Sequence, residues 1–151
     1  MTPEKTIDLL LAEYLQLQRT VEDFDGRALT IKAWSVTLSA AGLGAAYVHS
    51  QPFVLVISGA SALLFWLVEA SWKVNQQAYY LRIRDIESAM KTNSPAIAPL
   101  QIATAWSLSW HKNWKDLKLL RAMVWLHVWL PHVPVAIGAG ILFRFFPPTI
   151  R

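Results

Sequence analysis

Three long apolar stretches dominate the pattern of hydrophobic and polar positions along the chain. They cover residues 28–48, 52–72 and 122–142, and each has about the 20 residues that a helix needs to cross roughly 30 Å of hydrocarbon. The first stretch contains Lys32, the second contains Glu69, and the third contains no Asp, Glu, Lys or Arg. Because so few residues separate the first two stretches, we expect them to form a tight helical hairpin. The pattern predicts three transmembrane helices.

Amphipathic segments flank these predicted spans. In residues 4–25 apolar side chains recur at three- and four-residue spacing, which predicts a cytoplasmic helix. The Asp25–Gly26 pair predicts a kink or a stop before the first span. Residues 73–91 are expected to prolong the second span as a cytoplasmic helix. Residues 101–121 combine aromatic and basic side chains, which predicts a helix in the membrane interface. The aromatic stripe of that helix consists of Trp106, Trp110 and Trp114.

The composition supports a membrane protein. The chain is 54% hydrophobic and 16% charged, whereas soluble domains carry roughly 25% charged residues. So few charges cannot coat so much apolar surface in water. The absence of cysteine excludes disulfides, thiolate metal sites and a cysteine nucleophile. We therefore predict an all-α integral membrane protein that forms a single domain over residues 1–151.

The positive charges are distributed unevenly about the predicted spans. Of the 14 Lys and Arg residues, two follow the third span and none lies in the hairpin tip. The rest lie before or at the start of the first span, or between the second and third. The excess of positive charge on cytoplasmic loops then places the N-terminus inside and the C-terminus in the periplasm of a bacterial inner membrane. The acidic segment 1–25 and the basic segment 73–121 fall on the same side, and we expect them to dock.

Two charged residues are expected to meet inside the predicted hairpin. Lys32 lies 18 residues before Ser50 and Glu69 lies 19 residues after it, so a regular helical rise puts both at nearly the same depth. Lys73 offers Glu69 a second partner four residues along the helix. The pair has two interpretations, a structural pin that fixes the register of the hairpin and an entrance to an ion or proton pathway.

A stripe of small residues runs along the first predicted span. Its spacing lets helix backbones approach closely. Packing within the chain, packing against another subunit and a polar pore lining would all use such a stripe. We expect a homo-oligomer that assembles through it. The stripe consists of Ser35, Ser39, Gly42 and Ala46.

The third predicted span contains His127 and His132 beside Pro131 and Pro134, and the two prolines should kink the helix. A spacing of five residues does not put both histidines on one helical face, and no carboxylate lies nearby in sequence. A neutral histidine bonded to a backbone carbonyl is one interpretation, and a proton or metal site is the other. Without a recognised catalytic, metal or cofactor motif, we predict no catalytic residue, metal ligand or cofactor.

The order of elements over about residues 12–88 resembles that of SLATT-type proteins, small two-span bacterial membrane effectors associated with nucleotide-signalled antiviral systems. The segments EYLQLQRTVEDFDGRALTIKAWSVTLSA and FWLVEASWKVNQQAYYLRIRDIE carry the resemblance. It implies oligomerisation and membrane permeabilisation triggered from the inner side. The Trp-rich helix and the third span are additions to that plan.

We therefore expect a non-enzymatic oligomeric membrane protein, a pore-forming or depolarising effector whose partners are the lipid bilayer and further copies of itself. One alternative is a small anchor or scaffold that recruits a soluble cytoplasmic partner. Another is a membrane-embedded enzyme, or a proton or metal carrier that uses His127, His132 and Glu69. No recognised nucleic-acid module accompanies the aromatic and basic segment, so we expect no nucleic-acid partner.

Overall fold

Helices form the fold of this protein in a computed structural model. The structure describes residues 2–92, 97–115 and 118–149, except for the side chains of residues 114 and 115, and no strand occurs in this part of the chain. The prediction of an all-α protein is confirmed. The helices are α1 (Pro3–Val48), α2 (Pro52–Lys91), α3 (Ile102–Lys115), α4 (Lys118–Met123), α5 (Leu126–Trp129) and α6 (His132–Phe145).

Two long helices replace four predicted segments. Helix α2 continues past the second apolar stretch to Lys91, as the amphipathic pattern indicated. Helix α1 also runs without a break, so the stop, one of the two alternatives predicted at Asp25–Gly26, is wrong. A glycine inside a helix costs about 1 kcal/mol relative to alanine. The backbone hydrogen bonds of the flanking turns outweigh so small a penalty.

A helix cap closes the hairpin between α1 and α2. Ser50 has a φ of 52°, in the left-handed region. The Ser50 N–H donates to the Tyr47 carbonyl at 3.4 Å, and the Gln51 N–H donates to the Ala46 carbonyl at 2.8 Å. This pair of bonds is the Schellman arrangement, which satisfies carbonyls at a helix C-terminus. Pro52 then begins α2, where its missing N–H costs nothing.

The third predicted span is not one helix. Trp125 and Leu130 have extended backbone conformations, so the segment is divided among α4, α5 and α6. Pro131 explains the second break, because proline cannot donate to the preceding turn and disfavours a helical residue before it. Pro134 lies in the first turn of α6, where a donor is not needed. The prolines were predicted to kink one helix, but in the structure the segment is divided into separate helices.

Only one helix of the described residues is both long and apolar enough to cross a membrane, namely α2. Helix α1 is longer, but Lys32 and several small residues dilute its apolar half. Helix α6 has 14 residues, which span about 21 Å and fall short of the roughly 30 Å of a hydrocarbon core.

The chain divides into two compact units. The first unit comprises Met1–Gly26 and Trp72–Leu119, and the second comprises Arg27–Ser71 and Leu120–Arg151. In the first unit the start of α1 packs against the end of α2, as their opposite charges predicted. Its core consists of Leu10, Leu17, Val21, Ile83 and Ile86.

A buried ion pair joins these helices in the first unit. Arg82 donates to Glu13 through Nε at 2.8 Å and through Nη2 at 3.0 Å. The same Nη2 donates to the Ala98 carbonyl at 2.8 Å, and the Leu100 N–H donates to Glu13 Oε2 at 2.7 Å. The pair thus also holds the loop before α3. Burial acts to raise the pKa of Glu13, but these hydrogen bonds and the Arg82 charge outweigh it and lower the pKa below its ordinary value.

We expect Glu13→Ala to lower the free energy of unfolding of the first unit by about 3–5 kcal/mol, because it leaves the buried Arg82 charge without a partner. Because the pKa of Glu13 is lower in the folded protein, Glu13 of the unfolded chain takes up a proton at a higher pH than Glu13 of the folded protein. The stabilisation should therefore be complete above about pH 5 and be lost progressively below the ordinary glutamate pKa of about 4.3.

Unfolding of the detergent-solubilised protein, followed by circular dichroism between neutral and acidic pH, measures both effects. The control is Glu22→Ala, which removes an exposed carboxylate from the same helix. Equal losses in the two variants, or an unchanged pH dependence in Glu13→Ala, would contradict this account.

Candidate functional site

Four polar side chains form a continuous chain of contacts inside the second unit, which we call the buried polar chain. Lys32 Nζ lies 2.6 Å from Glu69 Oε1, and His132 Nε2 lies 2.9 Å from Glu69 Oε2. Ser35 Oγ lies 2.7 Å from His132 Nδ1. Glu69, His132 and Ser35 are 0% exposed, and the Lys32 side chain is 23% exposed. The chain therefore reaches the surface of the unit at Lys32.

Three helices supply these side chains. Lys32 and Ser35 are three residues apart on α1 and so lie on one face of it. Glu69 comes from α2, and His132 is the first residue of α6. The break at Pro131 begins a new helix at His132. The break in the third predicted span therefore also determines where the His132 imidazole lies.

The hydrogen-bonding roles within the buried polar chain follow from its donors and acceptors. An ionised Glu69 only accepts, so Lys32 and the Nε2–H of His132 both donate to it. In the neutral imidazole Nδ1 then accepts from the Ser35 hydroxyl, and the four groups carry no net charge. If a proton reaches Nδ1, that atom becomes a donor and the Ser35 oxygen must accept. Rotation of one hydroxyl therefore lets the chain hold an extra proton.

The same order of groups occurs in hydrolases, where serine, histidine and a carboxylate act as nucleophile, base and orienting acid. Here Ser35 and His132 are 0% exposed. A substrate carbonyl cannot reach a hydroxyl that has no accessible surface. The geometry thus favours movement or storage of a proton over acyl transfer.

Lys32 and Glu69 lie within salt-bridge distance, in agreement with their matched depth in the hairpin. The prediction that Lys73 is a second partner of Glu69 is wrong. Lys73 Nζ instead lies 2.5 Å from Asp25 Oδ1 and 3.0 Å from Gln76 Oε1. The Lys73 ammonium therefore already has an ionised partner on α1.

The two histidines do not share a site. His127 is exposed, and its ring centroid lies 5.5 Å from that of Trp125. His132 bonds to a carboxylate and a hydroxyl, so the interpretation that it bonds a backbone carbonyl is wrong. Sequence reasoning missed this carboxylate because Glu69 is 63 positions away. Within the described residues, no group of three or more His, Cys, Asp and Glu side chains is arranged to hold a metal ion.

The small-residue stripe of α1 packs inside the second unit. Ser35, Ser39 and Ala46 are buried by this chain itself. A Cβ added to Gly42 would overlap the Oγ of Ser58 on α2. This finding corrects the prediction that the stripe contacts a second subunit for Ser35, Ser39 and Ala46, whose surface is already covered, whereas Gly42 is half-buried.

Ser39 is a further buried hydroxyl on the Ser35 face of α1, without a hydrogen bond to the buried polar chain. It follows Ser35 by one helical turn and is 1% exposed. Its Oγ has no hydrogen-bond partner in the part of the chain that the structure describes. Leaving a buried hydroxyl unpaired costs about 1–3 kcal/mol. A buried hydroxyl of this kind is rare in native proteins and needs a partner, such as a water molecule or an ion.

The aromatic stripe belongs to the first unit. The rings of Trp106 and Trp110 stack with centroids 5.4 Å apart, and the ring centroids of Trp106 and Tyr79 are 6.3 Å apart. Both tryptophans are half-buried. Placement of these two residues in a lipid interface stays a prediction. The side chain of Trp114 lies outside the described part of the structure.

Comparison of the chain with known proteins gives no matching family model, no similar curated protein and no similar solved structure.

We expect Gly42→Ala to lower the thermal unfolding midpoint of the solubilised protein. Overpacking costs about 1–3 kcal/mol, against at most about 1 kcal/mol gained in helix propensity. Gly44→Ala is the matched control, because a Cβ at Gly44 meets no atom within 4 Å. It should be neutral or slightly stabilising. Adding Ser58→Ala should rescue part of the loss, and equal midpoints for the two glycine variants would refute the close approach.

Proposed function

We propose that this protein is a non-enzymatic, multi-pass membrane protein of the bacterial inner membrane that lets protons or small cations cross and so depolarises it. The buried polar chain is the observation that carries the proposal. Ionisable groups within a membrane segment are costly, and they mark ion and proton pathways. The resemblance to SLATT-type effectors would assign this depolarisation to antiviral defence.

The surface of the second unit supports insertion into a bilayer. Large apolar side chains are exposed along its helices, at a density that is unusual for a surface facing water. We propose three crossings, made by the second half of α1, the first half of α2 and the segment from α4 to α6. The most exposed of these side chains are Leu29, Val48, Phe53, Leu64, Val124, Leu126 and Phe145.

A broken third crossing is compatible with lipid where the freed backbone groups find partners in protein. Trp66 Nε1 donates to the Met123 carbonyl at 3.0 Å, at the end of α4. The Leu130 N–H donates to the Leu126 carbonyl at 3.1 Å, at the end of α5. These bonds satisfy polar groups next to both interruptions.

The pathway that we propose begins at Lys32, the one partly exposed member of the buried polar chain. It continues through Glu69 and His132 to Ser35, and the unpaired Ser39 hydroxyl extends it by a turn. Such a line of titratable groups and hydroxyls suits proton transfer. Three crossings enclose little space, so passage of larger cations would need several copies around an axis. We therefore also propose a homo-oligomer, assembled through a surface other than the covered stripe.

The charge distribution predicts the orientation of the three crossings. A reporter that is active only in the periplasm should be active when fused after Arg151 and inactive when inserted after Thr92. A fluorescent reporter that is active only in the cytoplasm should give the reverse pattern at the same two positions. Equal activity of one reporter at both positions would exclude an odd number of crossings between them.

Proton flux into liposomes tests the proposed function. Vesicles with the reconstituted protein should acidify faster than protein-free vesicles when a potassium diffusion potential is imposed, as reported by an internal pH-sensitive dye. Glu69→Gln and Ser39→Ala should reduce the rate towards that of protein-free vesicles, because each interrupts the polar line. Ser39→Ala removes only an unpaired hydroxyl and should fold normally. Thr37→Val is the control, since it removes an exposed hydroxyl from the same helix.

An anchor or scaffold is the second candidate function, and a feature of the first unit favours it. Ile7, Leu11 and Leu15 recur every four residues on α1 and are 44–51% exposed. Leu11 also lines an apolar cavity of about 290 Å³ beside Ile86. Wild-type vesicles that are no leakier than protein-free ones would end the conduction proposal and leave the anchor in its place.

A further inference from the structure

We propose that the first unit binds a phosphate group in a polar cavity lined by Gln77, Tyr80, Arg84 and Lys118. The cavity has a volume of about 380 Å³, which is large enough for a phosphorylated headgroup or small molecule. The site is separate from the buried polar chain and does not depend on the conduction proposal.

Three of the lining residues lie on one face of α2. Gln77, Tyr80 and Arg84 are spaced by three and four residues, so their side chains project in a common direction. Arg84 is exposed, and its guanidinium makes no ion pair with any described residue. A guanidinium presents a rigid fork of donors that matches two phosphate oxygens.

Lys118 is held in place by a buried neighbour. Its Nζ donates to Asn113 Oδ1 at 2.6 Å, and Asn113 is 1% exposed. Asn113 Nδ2 in turn lies 3.5 Å from the Val74 carbonyl of α2. One donor of the ammonium is used in this way, so two remain for a ligand. A fixed ammonium loses less side-chain freedom when it binds an anion.

Tyr80 completes the set of donors. Burial, and then the negative charge of Asp25, raise the pKa of its phenol. The hydroxyl therefore remains protonated and able to donate well above neutral pH. The Asp25 carboxylate does not stand unbalanced beside an anion, because Lys73 pairs with it at 2.5 Å and Gln76 Nε2 donates to it at 3.0 Å.

The charge of the cavity selects the ligand class. Among the residues that the structure describes, its lining carries two cations, one hydroxyl, one amide and no acid. A phosphate monoester, with up to two negative charges and three free oxygens, matches two cations better than a carboxylate does. Gln77, Tyr80 and Arg84 lie five to twelve residues after Trp72, where the apolar stretch of α2 ends. If that stretch crosses a membrane, these three residues lie beyond the hydrocarbon. Two sources present a monoester there, the headgroup of a lipid such as phosphatidic acid and a phosphate compound free in solution.

Binding measurements on the full-length protein distinguish these sources. The first arm titrates pyrophosphate into detergent-solubilised protein by calorimetry. The second arm measures flotation of the protein in nanodiscs with vesicles of phosphatidylcholine, alone or mixed with phosphatidic acid or phosphatidylserine. In whichever arm binds, Arg84→Gln and Lys118→Gln should each weaken binding roughly tenfold or more, since a charge-assisted bond is lost. Arg19→Gln and Lys91→Gln, which remove exposed charges elsewhere in the first unit, should change it less than about twofold.

Each outcome decides the proposal. Pyrophosphate binding that the cavity variants weaken supports the site with a soluble ligand. A preference for phosphatidic acid over phosphatidylserine that the same variants abolish supports it with a lipid headgroup. Equal losses in the control variants would show that binding reflects only the positive charge of the unit, and the proposal fails. No binding in either arm overturns it, provided that circular dichroism shows the wild type to be folded.

Discussion

The second unit depends on how one carboxylate is neutralised. Burial of an ionised glutamate without partners would cost many kcal/mol. Glu69 is 0% exposed and receives a donor on each oxygen, one from Lys32 and one from His132. These contacts bring together α1, α2 and α6. The close approach of α1 and α2 is a separate feature, because it is the missing side chain of Gly42 that makes room for Ser58.

The first unit contains a buried carboxylate with a different character. Glu13 accepts only from groups that keep their protons, a guanidinium and a backbone amide. Glu69 faces the imidazole of His132, whose two ring nitrogens can hold a proton on either side of the ring. Both carboxylates join helices, but only the second has a partner that can pass a proton on. For this reason the proposed pathway runs through Glu69, whereas Glu13 serves to join helices in the first unit.

Local geometry explains what could be predicted from the sequence. Lys32 and Glu69 were found because a short turn between two regular helices fixes the depth of every residue on both. His132 could not be assigned to them, since its position depends on two interruptions whose directions no local pattern determines. For Ser35 the sequence pattern indicates close packing or a pore lining, and it does not indicate a hydrogen bond to an imidazole 97 positions away. The stop expected at Gly26 failed because long-range packing and backbone bonds override a weak local preference.

The division of Glu69's partners between the two ends of the chain has a consequence for biosynthesis. Lys32 leaves the ribosome 37 residues before Glu69. In the membrane protein that we propose, insertion of both helices together as a neutral hairpin would avoid the cost of either charge alone. The second oxygen of Glu69 stays without its imidazole donor until His132 emerges, a further 63 residues on. The contacts of Glu69 are therefore complete only after His132 has been synthesised.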